Sequence, residues 1–235
     1  MSNKFKGKYA YAHPEHKKTC FVEARIQAMI ANVEEKHGAA VIGDTSKMRH
    51  FTLCFGITGD TKVLEVRIKE VVASLLEKHG KNTFSIHVER FMFCPGAAPI
   101  VAVAPKADSV DWKFFTELQA TLLMDPTLNA AHPDYKGDNK IIDPTLFPAG
   151  FADLKADIDS GTPFDDAAHR WMWPHMSAMT IRDKEIGGFG TLNREALETK
   201  YGWICDEKID AEIPIRAIGA SVELDGQKFR LEFDI

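Results

Sequence analysis

Apolar and polar residues alternate along much of this chain, and such alternation is typical of half-buried β-strands. Around residue 52, for example, Phe51 and Leu53 share one side of an extended chain, and Thr52 lies on the other. The pattern predicts five strands, over residues 47–57, 83–88, 173–181, 213–224 and 228–235. A continuous apolar run over residues 99–104 predicts a sixth, fully buried strand. Asp225-Gly226, between the last two strands, predicts a tight hairpin turn.

Apolar residues spaced three and four positions apart predict helices. The first covers residues 22–36 and is closed by Gly38, and the second covers residues 60–79, with Gly80 just past its end. A third helix is predicted over residues 111–124. Asn193 is a residue type favoured at helix N-termini, and it predicts a fourth helix that ends at Tyr201.

The order strand, helix, strand, strand occurs twice along the chain, which indicates an internal duplication. We therefore expect an α+β protein with a bilobal, pseudo-duplicated fold. Two antiparallel sheets would flank a central cleft, with the helices on the outer faces. The whole chain, residues 1–235, would form this single bilobal domain.

The lobes and the segments around them follow from the same pattern. Lobe one is expected over residues 46–124 and lobe two over residues 171–235. Residues 1–45 would form an N-terminal extension, with a polar loop from His13 to Lys18. Repeated prolines, which break regular structure, predict a linker or insert over residues 125–170, with a short helix near 149–158.

Composition narrows the classes of function. A net charge of −5 and an isoelectric point near 6.0 argue against bulk binding of duplex nucleic acid, although a small basic pocket for one nucleotide remains compatible. No apolar run is long enough to span a bilayer, and the basic N-terminus lacks the apolar segment of a secretory signal. The cysteines are scattered without CxxC spacing, so we expect reduced thiols and a cytoplasmic location.

Two short segments carry the candidate chemistry, His50-Phe51-Thr52-Leu53 and His175-Met176-Ser177-Ala178. Each lies on a predicted strand, so each histidine shares a face with the hydroxyl residue two positions later. Imidazoles titrate at about pH 6.5, so one can accept a proton while another donates one. We predict His50 and His175 as catalytic residues, with Thr52 and Ser177 binding the phosphate oxygens. The alternative is that both histidines are structural polar groups on half-buried strands.

These two motifs resemble those of the 2H phosphoesterase superfamily, whose hallmark is two His-x-Thr/Ser-x motifs on a bilobal, duplicated fold. The resemblance covers about residues 47–106 and 173–235, and leaves residues 1–45 and 107–170 unexplained. Members of the family process 2′,3′-cyclic phosphate RNA ends, ADP-ribose cyclic phosphate, 2′-5′ oligoadenylates or cyclic oligonucleotides. The resemblance thus implies a nucleotide phosphodiester as substrate, without choosing among these.

Three residues close to the motifs are further candidates for substrate binding. Trp173 shares strand parity with His175, so its indole can stack on a base. Arg49 and Arg182 flank the motifs and can supply positive potential for a phosphate. The simpler alternatives are a strand-end tryptophan and two solvated surface arginines. His87 is expected to be structural, because Glu89 stands where a motif hydroxyl would be.

The N-terminal segment offers an alternative metal site. His13 and His16 lie three positions apart, and Cys20 follows four positions later, all of which are zinc-ligating residue types. No fourth ligand is evident, and Pro14 disrupts a helical arrangement of the pair. We therefore predict neither a metal nor any other cofactor.

Together these patterns predict a metal-independent phosphodiesterase that cleaves a cyclic or 2′-5′ nucleotide phosphodiester. The expected partner is a nucleotide or short oligonucleotide substrate, with neither bulk duplex nucleic acid nor a membrane. The competing hypotheses are a non-catalytic nucleotide- or RNA-binding module of the same fold and a zinc hydrolase. The sequence leaves open which histidine is the acid and how many copies of the chain associate.

Overall fold

A computed structural model describes residues 6–15, 20–38, 40–43, 49–57, 61–94, 98–106, 109–125, 127–128, 152, 155–156, 174–224 and 227–234. The chain is an α+β protein, as predicted. Its elements, in chain order, are β1 (Lys6–Pro14), α1 (Cys20–His37), β2 (Ala40–Gly43), β3 (Phe51–Ile57), α2 (Thr61–His79), β4 (Phe84–Phe93), β5 (Ile100–Pro105), α3 (Trp112–Met124), β6 (Met176–Arg182), α4 (Arg194–Tyr201), a 3-10 turn (Gly202–Asp206), β7 (Lys208–Leu224) and β8 (Gln227–Asp234).

The four predicted helices are confirmed, together with the residues that end them. Gly38 and Gly80 follow α1 and α2 with φ angles of 57° and 65°, a left-handed conformation that glycine adopts readily. At the start of α4 the Asn193 side chain accepts a hydrogen bond of 3.1 Å from the Ala196 amide. The apolar stripe of α1 is buried at the predicted spacing, by Val22, Ile26, Met29 and Val33.

The six predicted strands are present as β3 to β8, but β4 and β7 are longer than predicted. β4 continues to Phe93, and β7 begins at Lys208. A register shift between Val88 and Arg90 interrupts the alternation of β4, which explains why the sequence pattern stopped there. β7 and β8 pair with Leu224 opposite Gln227, as in the predicted hairpin, while its turn residues 225 and 226 lie outside the described residues.

Two strands in the N-terminal part were missed. β1 lies between β3 and β7, so residues 6–14 are an interior strand, and the polar loop predicted from His13 is wrong at His13 and Pro14. Its buried positions include Ala10 and Ala12, whose small side chains give a weak apolar signal. β2 pairs with the end of β6. Residues 16–18 of the predicted loop lie outside the described residues.

The strands form one continuous antiparallel sheet, where the sequence predicted two. Their order is β2-β6-β5-β4-β7-β1-β3, with β8 also paired to β7. The connection is made by β7, which is 17 residues long. Its first half pairs with β4, and its second half pairs with β1 and β8. One long strand therefore joins what would otherwise be two smaller sheets.

The strand partners also differ from those that the predicted lobes imply. β3, the first strand of lobe one, pairs with β1, whereas β4 and β5 of that lobe pair with β7 and β6. In addition, an antiparallel bridge links Thr52 of β3 to His175 at the start of β6. This bridge links β3, at one end of the strand order, to the start of β6 at a single point.

The helices pack on one side of this sheet. We call this side of the sheet the outer face and the opposite side the inner face. On β4, the Phe84 ring stacks on Phe114 of α3 with centroids 3.8 Å apart, and Arg194 of α4 lies over Phe93. Phe91 lies two residues before Phe93 on β4, so it shares the outer face. Val103 of β5 pairs with Phe91, and cross-strand partners share a face, so Val103 is also on the outer face.

Most of the predicted linker or insert over residues 125–170 lies outside the described residues, as does the helix expected near 149–158, apart from residues 152, 155 and 156. At its start, the buried Asp125 carboxylate accepts a hydrogen bond of 2.6 Å from Arg67 of α2. Within the described part of the chain, every helix is too short or too polar to cross a bilayer.

Candidate active site

The two histidine motifs lie side by side, because the strands that carry them are hydrogen-bonded to each other. The Thr52 amide donates to the His175 carbonyl at 2.8 Å, and the His175 amide donates to the Thr52 carbonyl at 3.3 Å. Two residues that exchange both backbone hydrogen bonds stand directly opposite, with Cα atoms about 5.5 Å apart. Although 123 positions separate them in the sequence, Thr52 and His175 are therefore neighbours on one surface.

Strand geometry extends this contact to the other two motif residues. Side chains two positions apart share a face, so His50 lies with Thr52, and Ser177 lies with His175. Within the described residues, the backbone pairing of the two segments is the single bridge between Thr52 and His175. Beside it, the guanidinium of Arg49 donates to the Ser177 carbonyl at 2.9 Å, so the residues before β3 lie next to the start of β6. His50 and His175 are therefore on adjoining segments of the chain.

The four residues lie at two depths on the inner face. Thr52 and His175 are buried, with 5% and 3% of their surface exposed. His50 and Ser177 are half-buried. The patch therefore has a buried floor formed by one hydroxyl and one imidazole, and a more open rim formed by the other pair.

Tyr11 belongs to the same patch, and the sequence analysis missed it. It stands opposite Thr52 in the pairing of β1 with β3, so the two side chains share a face. Its ring lies 5.4 Å from the His50 ring between centroids, and the residue is 4% exposed. The alternation of Tyr9 and Tyr11 with alanines is the signal that could have indicated a strand here.

Arg49 occupies the outer face rather than the inner one. Its guanidinium is bound by Glu23 of α1, with Nη2 3.0 Å from the carboxylate, and its side chain is only 9% exposed. The hydrogen bond from Arg49 lowers the pKa of Glu23. Because adjacent strand residues point to opposite faces, the contacts of Arg49 with α1 are consistent with His50 facing inward. Its predicted place beside the substrate is not supported by these contacts.

Of the other two predicted substrate-binding residues, only Arg182 lies within the described residues, and it is away from the patch. Arg182 is exposed at the end of β6, opposite Ala40, and lies five residues beyond Ser177. At the rise of a strand, that separation is about 16 Å. Trp173 lies outside the described residues. His87 Nε2 is hydrogen-bonded to Asp210 Oδ1 at 2.7 Å, a contact between two side chains outside the motifs.

Metal-ligating residues do not form a cluster of three or more within the described part of the chain. The side chains of His13, His16 and Cys20 lie outside that part. The zinc alternative at the N-terminus therefore stays an untested hypothesis.

Comparisons with known proteins give only a remote likeness. No family model matches the sequence, and no curated protein is significantly similar to it. Among solved structures, the chain is similar to two of E. coli LigT, complexed with ATP and with 3′-AMP, each at 10% sequence identity over 98% of this chain. The matches cover 96% and 97% of the LigT chains, with TM-scores of 0.37 and 0.41. At such values the likeness carries no argument about function.

Proposed function

We propose that this protein is a metal-independent phosphodiesterase that cleaves a cyclic or 2′-5′ nucleotide phosphodiester by two-histidine acid–base catalysis. The observation that supports this proposal most strongly is the reciprocal pair of backbone hydrogen bonds between Thr52 and His175. The proposal takes this pairing to bring two imidazoles and two hydroxyls together on the inner face. Two proton carriers and two phosphate donors are the groups that such a hydrolysis requires.

The proposed reaction divides the work between the two motifs. One imidazole removes a proton from water, or from a ribose hydroxyl, as its oxygen forms a bond to phosphorus. The other imidazole donates a proton to the ribose oxygen as its bond to phosphorus breaks. Thr52 and Ser177 donate hydrogen bonds to the non-bridging oxygens, where negative charge accumulates. After turnover the base holds one extra proton and the acid lacks one, so loss of a proton to solvent by the first and uptake of a proton from solvent by the second restore both.

The substrate class is proposed from size and chemistry. A cyclic or 2′-5′ linkage places a ribose oxygen on each side of one phosphorus, which suits two histidines on adjoining segments of the chain. The net charge of −5 offers no broad basic surface for a long duplex. We therefore propose a nucleotide or short oligonucleotide as the partner of this site.

A substrate panel with a chelation arm tests the proposal. The purified protein is assayed against 2′,3′-cyclic mononucleotides, 2′-5′ diadenylate, ADP-ribose cyclic phosphate and cyclic dinucleotides, before and after exhaustive EDTA treatment. We expect turnover of at least one class, unchanged by EDTA. Binding without turnover would favour the binding-module hypothesis. Turnover that is lost on chelation and restored by Zn²⁺ would favour the zinc hydrolase.

A further inference from the structure

A row of paired residues extends from the candidate site across the inner face. Ser177 pairs with Ala102 and Met176 pairs with Val103, so the same register places Ala104 beside His175. Ala104 pairs with Arg90 of β4. Arg90 in turn pairs with Lys208, the first residue of β7. Two cationic residues therefore lie in line with the buried histidine.

The direction of the Arg90 side chain follows from its neighbours. Phe91 is buried against the outer face, opposite Val103, and adjacent strand residues point to opposite sides. Arg90 therefore points to the inner face, where it is exposed. The register shift between Val88 and Arg90 produces this orientation, because without it Arg90 would share the outer face with Val88.

The distance between Arg90 and His175 makes Arg90 a second phosphate-binding position, separate from the one at the two histidines. Two strand spacings separate it from His175, which is about 10 Å between Cα atoms. The residue between them is Ala104, which is buried and whose methyl group adds little bulk between the two positions. Thr52 and Ser177 already serve the phosphate at the histidines in the proposed reaction. A guanidinium at this spacing is placed for the next phosphate of the same ligand, which it can bind in bidentate fashion.

Three acidic residues near this position have other partners, whereas Glu89, next to Arg90 in the chain, is exposed. Asp210 pairs with His87 at 2.7 Å, and Glu212 accepts a hydrogen bond from Ser85. Glu207, next to Lys208, is 3.7 Å from Arg25. These contacts offset part of the negative charge beside Arg90 and Lys208.

We propose that Arg90, supported by Lys208, binds a second phosphate of the substrate. The substrate class is then a nucleotide with at least two phosphate groups, such as a 5′-phosphorylated 2′-5′ dinucleotide or a cyclic dinucleotide, rather than a cyclic mononucleotide. This inference rests on the proposed function, because it takes the histidine patch as the position of the first phosphate.

Ligand binding tests the inference without relying on turnover. Calorimetry compares adenosine 2′,5′-bisphosphate with adenosine 2′-monophosphate for the wild type, Arg90→Gln, Lys208→Gln and the control Lys113→Gln, a surface change on α3. We expect Arg90→Gln to raise the Kd of the bisphosphate about tenfold, since it removes a charge-assisted contact. Lys208→Gln should have a smaller effect, while the monophosphate and the control should change less than twofold.

Kinetics of the same variants separates this inference from the proposed function. With a 5′-phosphorylated 2′-5′ diadenylate or cyclic di-adenylate as substrate, Arg90→Gln should raise KM about tenfold and leave kcat unchanged. With a 2′,3′-cyclic mononucleotide it should change neither constant. An equal effect of Arg90→Gln on mono- and bisphosphate ligands, or none on either, would overturn the second phosphate site. The bisphosphate result without turnover of any substrate would overturn the phosphodiesterase alone.

Discussion

The two histidine motifs carry the same residue types but bury them in opposite order. In the first motif the hydroxyl of Thr52 is buried and His50 is half-buried, whereas in the second His175 is buried and Ser177 is half-buried. The antiparallel bridge pairs the hydroxyl residue of the first motif with the histidine of the second, and these are the two buried residues. Two segments that look equivalent in sequence thus give one buried imidazole and one closer to solvent.

The motifs also differ in where their strands are attached to the outer helices. Glu23 of α1 binds Arg49, which immediately precedes His50. The second motif strand is attached beyond its far end, where Asp183 accepts hydrogen bonds from Lys200 and Tyr201 of α4. The first attachment is therefore adjacent to a proposed catalytic residue, and the second is six residues away from Ser177.

Removal of either histidine is expected to have the largest effect and to show whether the two motifs are catalytically equivalent. His50→Ala and His175→Ala should each lower kcat by at least about 100-fold, because each deletes a proton carrier of the transition state. The double variant should be little worse than either single one, since acid and base act together. Steady-state kinetics on the best substrate of the panel measures this.

The controls for this experiment use the difference in burial. His87→Ala removes a histidine of β4 that belongs to neither motif, so it should leave kcat within about twofold. Only His175→Ala should also lower the free energy of unfolding, by about 1–3 kcal/mol, because His175 is buried. A loss of less than about threefold in kcat for either histidine variant contradicts two-histidine catalysis.

The hydroxyl residues are expected to contribute less than the histidines, and unequally. Thr52→Val and Ser177→Ala each remove one donor to the phosphate, at a cost of up to roughly 2–4 kcal/mol in transition-state stabilisation. Thr52 is on the buried floor, where hydrogen bonds to a charged group are stronger, so its replacement should cost more. Equal values of kcat/KM for the two variants would show that the deeper burial of Thr52 does not make its hydroxyl more important than that of Ser177.

Tyr11 should matter only through the first motif. Tyr11→Leu removes the ring that packs 5.4 Å from His50, and we expect a loss in kcat of about tenfold through misplacement of the imidazole. Tyr11→Phe keeps the ring and should retain most of the activity. In a His50→Ala background, Tyr11→Leu should cause no further loss. If it does, Tyr11 acts on something other than His50.

The sequence predicted the helices and strands of this fold more accurately than it predicted which strands pair with each other. Helix periodicity and glycine ends located α1 to α4 because these signals are local. The joining of the sheet by β7 depends on a strand that pairs with β4, β1 and β8, and such long-range pairing leaves no local pattern. β1 was missed for a related reason, since the alanines on its buried face are only weakly apolar.

At the candidate site, too, the features that depend on one strand were predicted and those that depend on pairing between strands were not. Strand parity grouped each histidine with its hydroxyl residue, and this required only alternation along one strand. The contact between Thr52 and His175, the position of Tyr11 and the inward direction of Arg90 all depend on register between strands. Arg49 was assigned to the substrate from proximity in sequence alone, and its neighbour Glu23 on α1 was not foreseen.

Weakening each attachment should sharpen the difference between the motifs. Glu23→Gln removes the charge that holds Arg49 beside His50, so we expect kcat to fall about three- to tenfold. Asp183→Asn weakens the attachment at the far end of β6, so kcat should change less than twofold, as measured in the same assay. Equal losses in kcat for the two variants would mean that distance from the histidine does not matter.

The smallest effect expected is on stability, and its pH dependence identifies Asp183 as the cause. Burial raises the pKa of Asp183, but hydrogen bonds from Lys200, Tyr201 and the Glu185 amide outweigh burial and hold it at about 2, below its ordinary 3.8. Because the folded pKa is the lower one, the stabilisation is present above pH 4 and is lost as the pH falls towards 2. Asp183→Asn should therefore be less stable than the wild type by about 1–2 kcal/mol at pH 7, with a smaller difference at pH 3. Urea unfolding of both proteins at pH 7 and pH 3 measures this difference in stability. A difference that does not shrink at pH 3 would show that the charge of the Asp183 carboxylate is not what attaches β6 to α4.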